Sequence, residues 1–465
     1  MSLRSGPAPA GPFEVAIVGA GVVGCAVARE LSRRGASCVL IEAAADVGAG
    51  TSKANTAIHH TGFDAKPGTV EAELVRRGYE LLRDYAAQVG IPLATPGALM
   101  VAWTPQQLEA LPGIAADAAS NHYGEIRMLE AEEVYEREPR LGPGALGGLE
   151  VPGEGILCPF TATLALATEA LESGCQLVLS APVTGITAAE RFRIGTARGP
   201  VSARHLVNAS GLRSDEVDRM VGHAKFTVRP RRGELIVFDK LARGLIERVV
   251  LPVPTAKTKG VLVSPTVYGN LLLGPTADDI DDKEVRETTA DGLGSLLEQG
   301  RRILPGLSGH EVTATYVGLR AATESRDYQL RFHPEQRYVC AGAIRSTGIS
   351  ASMALAERIA QSLGEAGLPL AVEPPPTTLR MPNIGELEPR PYQRAELIAR
   401  DPDYGRIVCF CERVSRGEIR DALESALPPR DADGLRRRTR ALMGRCQGFF
   451  CAAEVASLLA EGDDG

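Results

Sequence analysis

VAIVGAGVVGCAVARELSRRGASCVLIE, residues 15–42, decides the fold. Its first apolar run, 15–18, reads as a strand, and Gly19, Gly21 and Gly24 mark a turn into a helix that lasts to about residue 34. A second apolar run, 38–41, reads as another strand and closes on Glu42. Strand, glycines, helix, strand and acid in this order form a dinucleotide-binding unit. Gly19 permits the tight turn, Gly21 lets backbone amides approach a pyrophosphate, and Gly24 lets helix and strand pack closely. The helix N-terminus brings partial positive charge to the phosphates. Glu42, 18 residues after Gly24, is placed to accept hydrogen bonds from a ribose.

The 465-residue chain has room for two or three domains, and its 44% hydrophobic content suits large cores. A net charge of −7 leaves no footprint for nucleic acid. No run approaches the roughly 20 apolar residues of a membrane-spanning helix, and residues 1–12 lack a signal peptide's apolar segment. Nine cysteines in a chain of this length do not describe a disulfide-stapled secreted domain. The expected location is cytoplasmic, with a peripheral position at the inner face of the membrane, reached through a partner, as the alternative.

Residues 206–211 (LVNASG) and 338–343 (YVCAGA) read as buried strands ending in glycine and alanine, like the first strand. The expected fold class is therefore α/β: a Rossmann-like domain built from separated segments, an inserted β-rich α+β substrate domain, and a small C-terminal helical cysteine domain. In numbers, 1–12 is a flexible lead and 13–370 is the main body. Its dinucleotide-binding segments are about 13–90, 150–225 and 331–370, and its substrate domain about 91–149 and 226–330. A Pro-rich linker, 371–400, leads to the cysteine unit at 401–465. Helices are expected at 69–89, 284–303 and 350–363, and strands at 234–238 and 312–319.

Two adjacent histidines, His59 and His60, are candidates for a general base of pKa near the working pH. In an extended segment they point to opposite faces, so one alone can face a bound cofactor. Arg320 and Arg345 each follow an apolar run, where strand ends meet a ligand crevice, and their planar forks match an anionic substrate. Arg232 has no evident role. Cys409 and Cys411, then Cys446 and Cys451 after a 34-residue gap, supply four thiolates. They read as metal or cluster chemistry; tetrahedral zinc usually takes two-residue knuckles, and an iron–sulfur cluster, zinc and free thiols are the readings the residues leave open.

Six further stretches carry a family resemblance: TSKANTAIHHTGFD (51–64), RPRRGELIVFDK (229–240), TKGVLVSPTVYGNLLLGPTAD (258–278), GLRA (318–321), IRSTGISAS (344–352) and RRTRALMGRCQGFFC (437–451). Together with the first motif they make the chain resemble the D-amino-acid-oxidase-like FAD oxidoreductases. Within these it is most similar to the glycerol-3-phosphate dehydrogenase and oxidase branch, in particular the anaerobic large-subunit type. The end of the chain resembles the bacterioferritin-associated-ferredoxin-like domain.

The resemblance implies FAD held by Gly19, Gly21, Gly24, Glu42, Thr51, Ser52, Asn55, Val183, Gly211, Gly348, Ile349 and Ser350. It places the base at His60, with His59 as the alternative, and a lysine near the flavin edge at Lys259. Arg320 then holds the substrate, helped by Arg345 or Thr347, and Cys409, Cys411, Cys446 and Cys451 bind a 2Fe–2S cluster. His59 and Tyr268 depart from the related pattern and leave the exact substrate open.

The expected activity is oxidation of a small anionic secondary alcohol, first glycerol 3-phosphate to dihydroxyacetone phosphate. Electrons pass to a partner subunit or a quinone. The alternatives are an L-2-hydroxyglutarate-type dehydrogenase, an amine- or amino-acid-oxidising flavoenzyme, and a non-catalytic flavin sensor or electron-transfer protein.

Overall fold

The computed structural model describes residues 8–9, 11–254 and 260–463; Lys259 lies outside them. The strand Phe13–Val18 lies in an eight-stranded sheet. It runs parallel to Cys38–Ile41 on one side and to Val201–Asn208 on the other. Gln176–Val178 and Tyr338–Gly342 join in parallel, so segments far apart in sequence do form one largely parallel sheet. A hairpin of Val183–Ala188 and Phe192–Thr196 closes one edge. Helices Val22–Arg33, Val70–Val89, Pro159–Glu172 and Gly348–Glu365 cover one face and share its core.

The fingerprint glycines are sterically required. Gly19 turns at φ +101°, and a Cβ at Gly24 would stand 1.8 Å from the Gly19 carbonyl oxygen. The helix Val22–Arg33 could not approach its strand with any larger residue there.

A second, nine-stranded sheet forms the β-rich module. Its longest strands, Arg229–Phe238 and Val312–Ala322, pair antiparallel along their whole length. The latter continues three residues past the expected end at 319, so Arg320 lies within the strand, opposite Arg231. The expected helix over 284–303 begins only at Ala290. Thr289 caps it by accepting the Gly292 amide, while buried Glu234 accepts the Thr289 amide. That anchor fixes the turn and leaves 284–289 outside the helix. The helix expected from 350 starts earlier, at Gly348, and Ser350 lies in its first turn.

The chain over 366–390 has no regular structure but is fastened along the surface. Ala371 donates to the Arg34 carbonyl and Met381 to that of Val89, and Leu379 and Ile384 are buried. Beyond it, a short hairpin, Ile407–Cys409 and Val414–Ser415, packs with helices Arg416–Leu423, Ala432–Thr439 and Ala452–Asp463 around a separate small core. Buried Asp46, in the loop after the second strand, binds Arg437 at 2.7 Å and Arg438 at 2.6 Å. Lys53 meets Asp433 at 2.9 Å. On the β-rich side, Arg440 lies 3.8 Å over the Tyr268 ring and pairs with Glu412. The cysteine unit is thereby clamped to both larger modules.

Candidate active site

A cavity of about 840 Å³ opens between the two sheets, of the size that small-molecule and cofactor sites take. One end is lined by Gly21, Val22, Ser52 and Gly211, at the mouth of the fingerprint helix. Gly21 caps that helix, and the Val22 amide donates to Ser52 Oγ at 2.9 Å. The Glu42 carboxylate accepts the Ala20 amide at 2.6 Å and the Ala44 amide at 2.8 Å, and burial raises its pKa. Glu42, Val183, Gly19 and Gly24 are not among the residues that line the cavity.

Further along, Thr51 Oγ1 donates to the Leu319 carbonyl at 2.8 Å. Asn55 folds the same loop by bonding the Ser52 carbonyl and the Ala57 amide. Opposite it, Gly348, Ile349 and Ser350 line the wall. Thr347 caps their helix without a side-chain bond to its amides, so first-turn N–H groups remain free for an acceptor. Two helix N-termini thus face one elongated cavity, a charge arrangement that fits a dinucleotide and the negative end of a flavin.

The two histidines separate as their alternation requires. His59 is fully buried, stacked 4.3 Å from the Tyr79 ring with Nε2 3.1 Å from the Tyr79 carbonyl. Burial lowers its pKa to about 3, so it is a neutral core residue. His60 lines the cavity, and its amide donates to Ser350 Oγ at 2.9 Å. Its Nδ1 stands 3.2 Å from Glu154 Oε2. Glu154 is completely buried, and its other oxygen accepts both the amide and the hydroxyl of Thr61, at 2.7 and 2.8 Å. The carboxylate is fixed before it meets the imidazole, which leaves Nε2 as the ring nitrogen for the cavity.

At the far end, Arg231, Arg320 and Arg345 line the same space. Arg231 pairs with Asp279 at 2.7 Å. Arg320 donates to the Thr276 carbonyl at 3.3 Å and forms no ion pair among the described residues. Burial, then the charges of Arg231 and Arg345, lower its pKa to about 10. Arg231 has Asp279, and Arg345 has Glu71 at 3.8 Å, so Arg320 is the one of the three whose charge an entering anion would relieve. Thr347 is differently placed: its hydroxyl is bonded to Tyr328 and donates to Glu71 Oε1 at 2.6 Å, so it braces the wall. Arg232 lies at 3.5 Å from Asp278.

Glu154 and Arg231 are site residues that sequence reasoning misses. Arg231 falls inside one of the resemblance-bearing stretches, and pairing with Arg320 across two strands is the signal that points to it. Glu154 gives no signal, since a lone glutamate in a Gly/Pro-rich stretch reads as surface.

In the C-terminal unit Cys409 and Cys451 sit in the small core with Cys411 packed against it, and Cys446 lies close enough to Cys411 for the two thiols to affect each other's ionisation. The amides of Phe450, Gly448 and Phe449 point at the Cys446 sulfur and lower its pKa. Among the described residues no three His, Cys, Asp or Glu side chains could hold a metal ion. These thiols with amide donors fit a cluster of two irons, which takes four thiolates in all. The five other cysteines are buried and free.

The chain belongs to the FAD dependent oxidoreductase family, whose model matches residues 14–362, and carries a BFD-like [2Fe-2S] binding domain over residues 407–461. It is an FAD-dependent oxidoreductase that binds FAD and a 2Fe–2S cluster. It is 35% identical over 452 residues to a glycerol 3-phosphate dehydrogenase of Caloramator mitchellensis, covering 96% of this chain and 94% of that one. It is 26% identical to one subunit of the anaerobic glycerol-3-phosphate dehydrogenase of Escherichia coli, over 96% of this chain and 88% of that one. The L-alpha-glycerophosphate oxidase of Mycoplasma pneumoniae, solved with FAD bound, superposes with a TM-score of 0.75 at 28% identity, over 80% of this chain and all of that one. No helix among the described residues is long and apolar enough to cross a membrane.

Proposed function

We propose that the chain oxidises glycerol 3-phosphate at the secondary hydroxyl, yielding dihydroxyacetone phosphate, and passes the electrons on through its C-terminal unit. The observation that carries this reading is one cavity holding a carboxylate-backed imidazole at one wall and three arginines at its end. The relatives' names point to the same substrate.

FAD, held between the helix N-termini at Gly21–Val22 and Gly348–Ser350, would supply the hydride acceptor, and Cys409, Cys411, Cys446 and Cys451 would hold the 2Fe–2S cluster, a one-electron carrier. Arg320 and Arg345 hold the phosphate in the bidentate manner that suits guanidinium. This fixes the alcohol carbon relative to the cavity wall. His60 Nε2 takes the hydroxyl proton as the carbon gives up hydride and the C–O bond becomes a carbonyl. Glu154 supports the imidazolium that forms, and Ser350 Oγ holds the His60 backbone in place. The first-turn amides at Gly348–Ser350 stabilise negative charge at the adjoining end of the cofactor site.

Anaerobic mixing with a panel of 3-phospho-alcohols, 2-hydroxy acids and amines tests the assignment. Glycerol 3-phosphate is expected to bleach the flavin absorbance fastest. Faster bleaching by a 2-hydroxy acid or an amine overturns it.

A further inference from the structure

Three phenylalanines of the cysteine unit face solvent: Phe410 is 72% exposed, Phe449 84% and Phe450 72%. The unit has a core available to apolar residues, and Val408, Val414, Ile419, Leu435 and Val455 fill it. The exposed rings are confined to the two loops that carry the thiols. Phe410 separates Cys409 from Cys411, and Phe449 and Phe450 lie between Cys446 and Cys451. Cys409 and Cys451 share the small core, and Cys411 packs so tightly on Gly444 that a Cβ there would stand 2.2 Å from its own, so these loops lie together. Phe449 and Phe450 meet edge to face at 5.2 Å.

Cys411 and Cys446 are half-buried while Cys409 and Cys451 are buried, so the thiols approach the surface on one side. Two arginines border the rings, although the whole chain carries −7. Arg413 is exposed over the Tyr392 ring and forms no ion pair among the described residues, so it is the uncompensated charge there, whereas Arg445 is half exposed and paired with Asp239 at 2.7 Å.

We propose that this aromatic face is the docking surface for a one-electron acceptor protein, one whose redox centre lies beneath an apolar patch with an acidic rim. The inference rests on the reading of the chain as a dehydrogenase that delivers electrons through its cluster. Exposed aromatic rings with arginine neighbours are the composition of an interface centre. Three rings and two arginines make a small contact, of the class that electron-transfer partners use. Lasting attachment to lipid needs an amphipathic helix face or a polybasic cluster, and two short loops supply neither. Each alcohol oxidised releases two electrons and two protons. The acceptor takes one electron at a time, so two acceptor molecules are reduced per carbonyl formed.

The test uses the holoenzyme and two probe proteins: plastocyanin, with an apolar patch and acidic rim, and cytochrome c, with a basic rim. Surface plasmon resonance reads binding, and flavin photoreduction without substrate starts electron transfer, so neither measurement depends on the substrate assignment. Plastocyanin is expected to bind at least tenfold more tightly than cytochrome c at low salt and to lose this advantage as salt rises. The double variant F449S/F450S is expected to lose at least tenfold in plastocyanin affinity and reduction rate. Because residues 449 and 450 keep their backbone amides, this loss is expected to exceed any change in cluster absorbance or in the rate with a small dye acceptor at least tenfold, and F410S, tested separately, is expected to lose plastocyanin affinity in the same way.

Equal plastocyanin binding by wild type and both variants overturns the proposal, as does preference for cytochrome c. Ring-dependent binding to vesicles of phosphatidylglycerol and phosphatidylethanolamine, or a dimer that the variants dissolve, would overturn it in favour of a lipid surface or a second copy. Failure of glycerol 3-phosphate to reduce the flavin counts against the substrate reading alone.

Discussion

His60 Nδ1 and Glu154 Oε2 stand 3.2 Å apart, with the carboxylate sealed from solvent and anchored by Thr61. A buried carboxylate beside a cavity-facing imidazole gives a base a fixed orientation and a charge to lean on. His60→Ala is expected to slow flavin reduction by roughly 10²–10⁴-fold. Glu154→Gln keeps the Thr61 contacts but removes the charge, and a loss of about tenfold in kcat with KM little changed is expected. Stopped-flow absorbance of the flavin reads both.

His59 provides the contrast. His59→Gln is expected to leave the reduction rate within about threefold, because this ring faces Tyr79 and not the cavity. Its effect appears in stability. With a folded pKa of about 3 against 6.5 in the unfolded chain, the unfolded state binds the extra proton between those values. Stability contributed by neutral His59 is therefore present above pH 6.5 and falls on acidification, by up to about 1.4 kcal/mol per pH unit. Denaturant melts between pH 7 and 5 should show a shallower decline in the variant.

Arg320 is the one of the three cavity guanidiniums whose charge an entering anion would relieve. Arg320→Ala is expected to raise KM for glycerol 3-phosphate by about 10–100-fold, the loss of one or two charge-assisted hydrogen bonds. Competitive inhibition by inorganic phosphate should weaken in parallel. Arg320→Lys keeps the charge without the fork and should fall between.

The clamp on the cysteine unit has its own signature. Removing the buried Asp46 carboxylate leaves Arg437 and Arg438 facing each other, a change that costs about 3–5 kcal/mol. Asp46→Ala is expected to lower Tm and to increase hydrogen exchange over 431–440. Burial pushes Asp433 up, but Lys53, Arg437 and Arg436 together pull its pKa to about 2. Its contribution is complete above about pH 4 and is lost as pH falls through about 2.

Cys446→Ser separates the two halves of turnover. Substrate-driven flavin reduction is expected to survive, while the cluster's visible absorbance and turnover with a protein acceptor fall. Unchanged acceptor turnover would defeat the relay.

Much of this is legible in local sequence. The fingerprint at 15–42 carries its own context, and LVNASG and YVCAGA announce strands of the same sheet by their composition. The alternation at His59 and His60 implies that one ring turns away, and the folded chain has His60 at the cavity. What local pattern does not carry is pairing over distance. By its apolar run alone Arg320 follows a strand, yet it lies inside one because Arg229–Phe238 supplies partners to Ala322. Glu234 fixes the start of a helix more than fifty residues away by accepting the Thr289 amide. Glu154 reaches His60 only because residues 155–156 pair with 58–59.

Anaerobic titration of the FAD-loaded protein with glycerol 3-phosphate, followed at the flavin absorbance, bears most directly on the central claim. Complete bleaching with one equivalent of dihydroxyacetone phosphate formed per two electrons taken up is the expected result. An oxidised spectrum that persists under excess substrate, in protein whose FAD is fully bound, contradicts it.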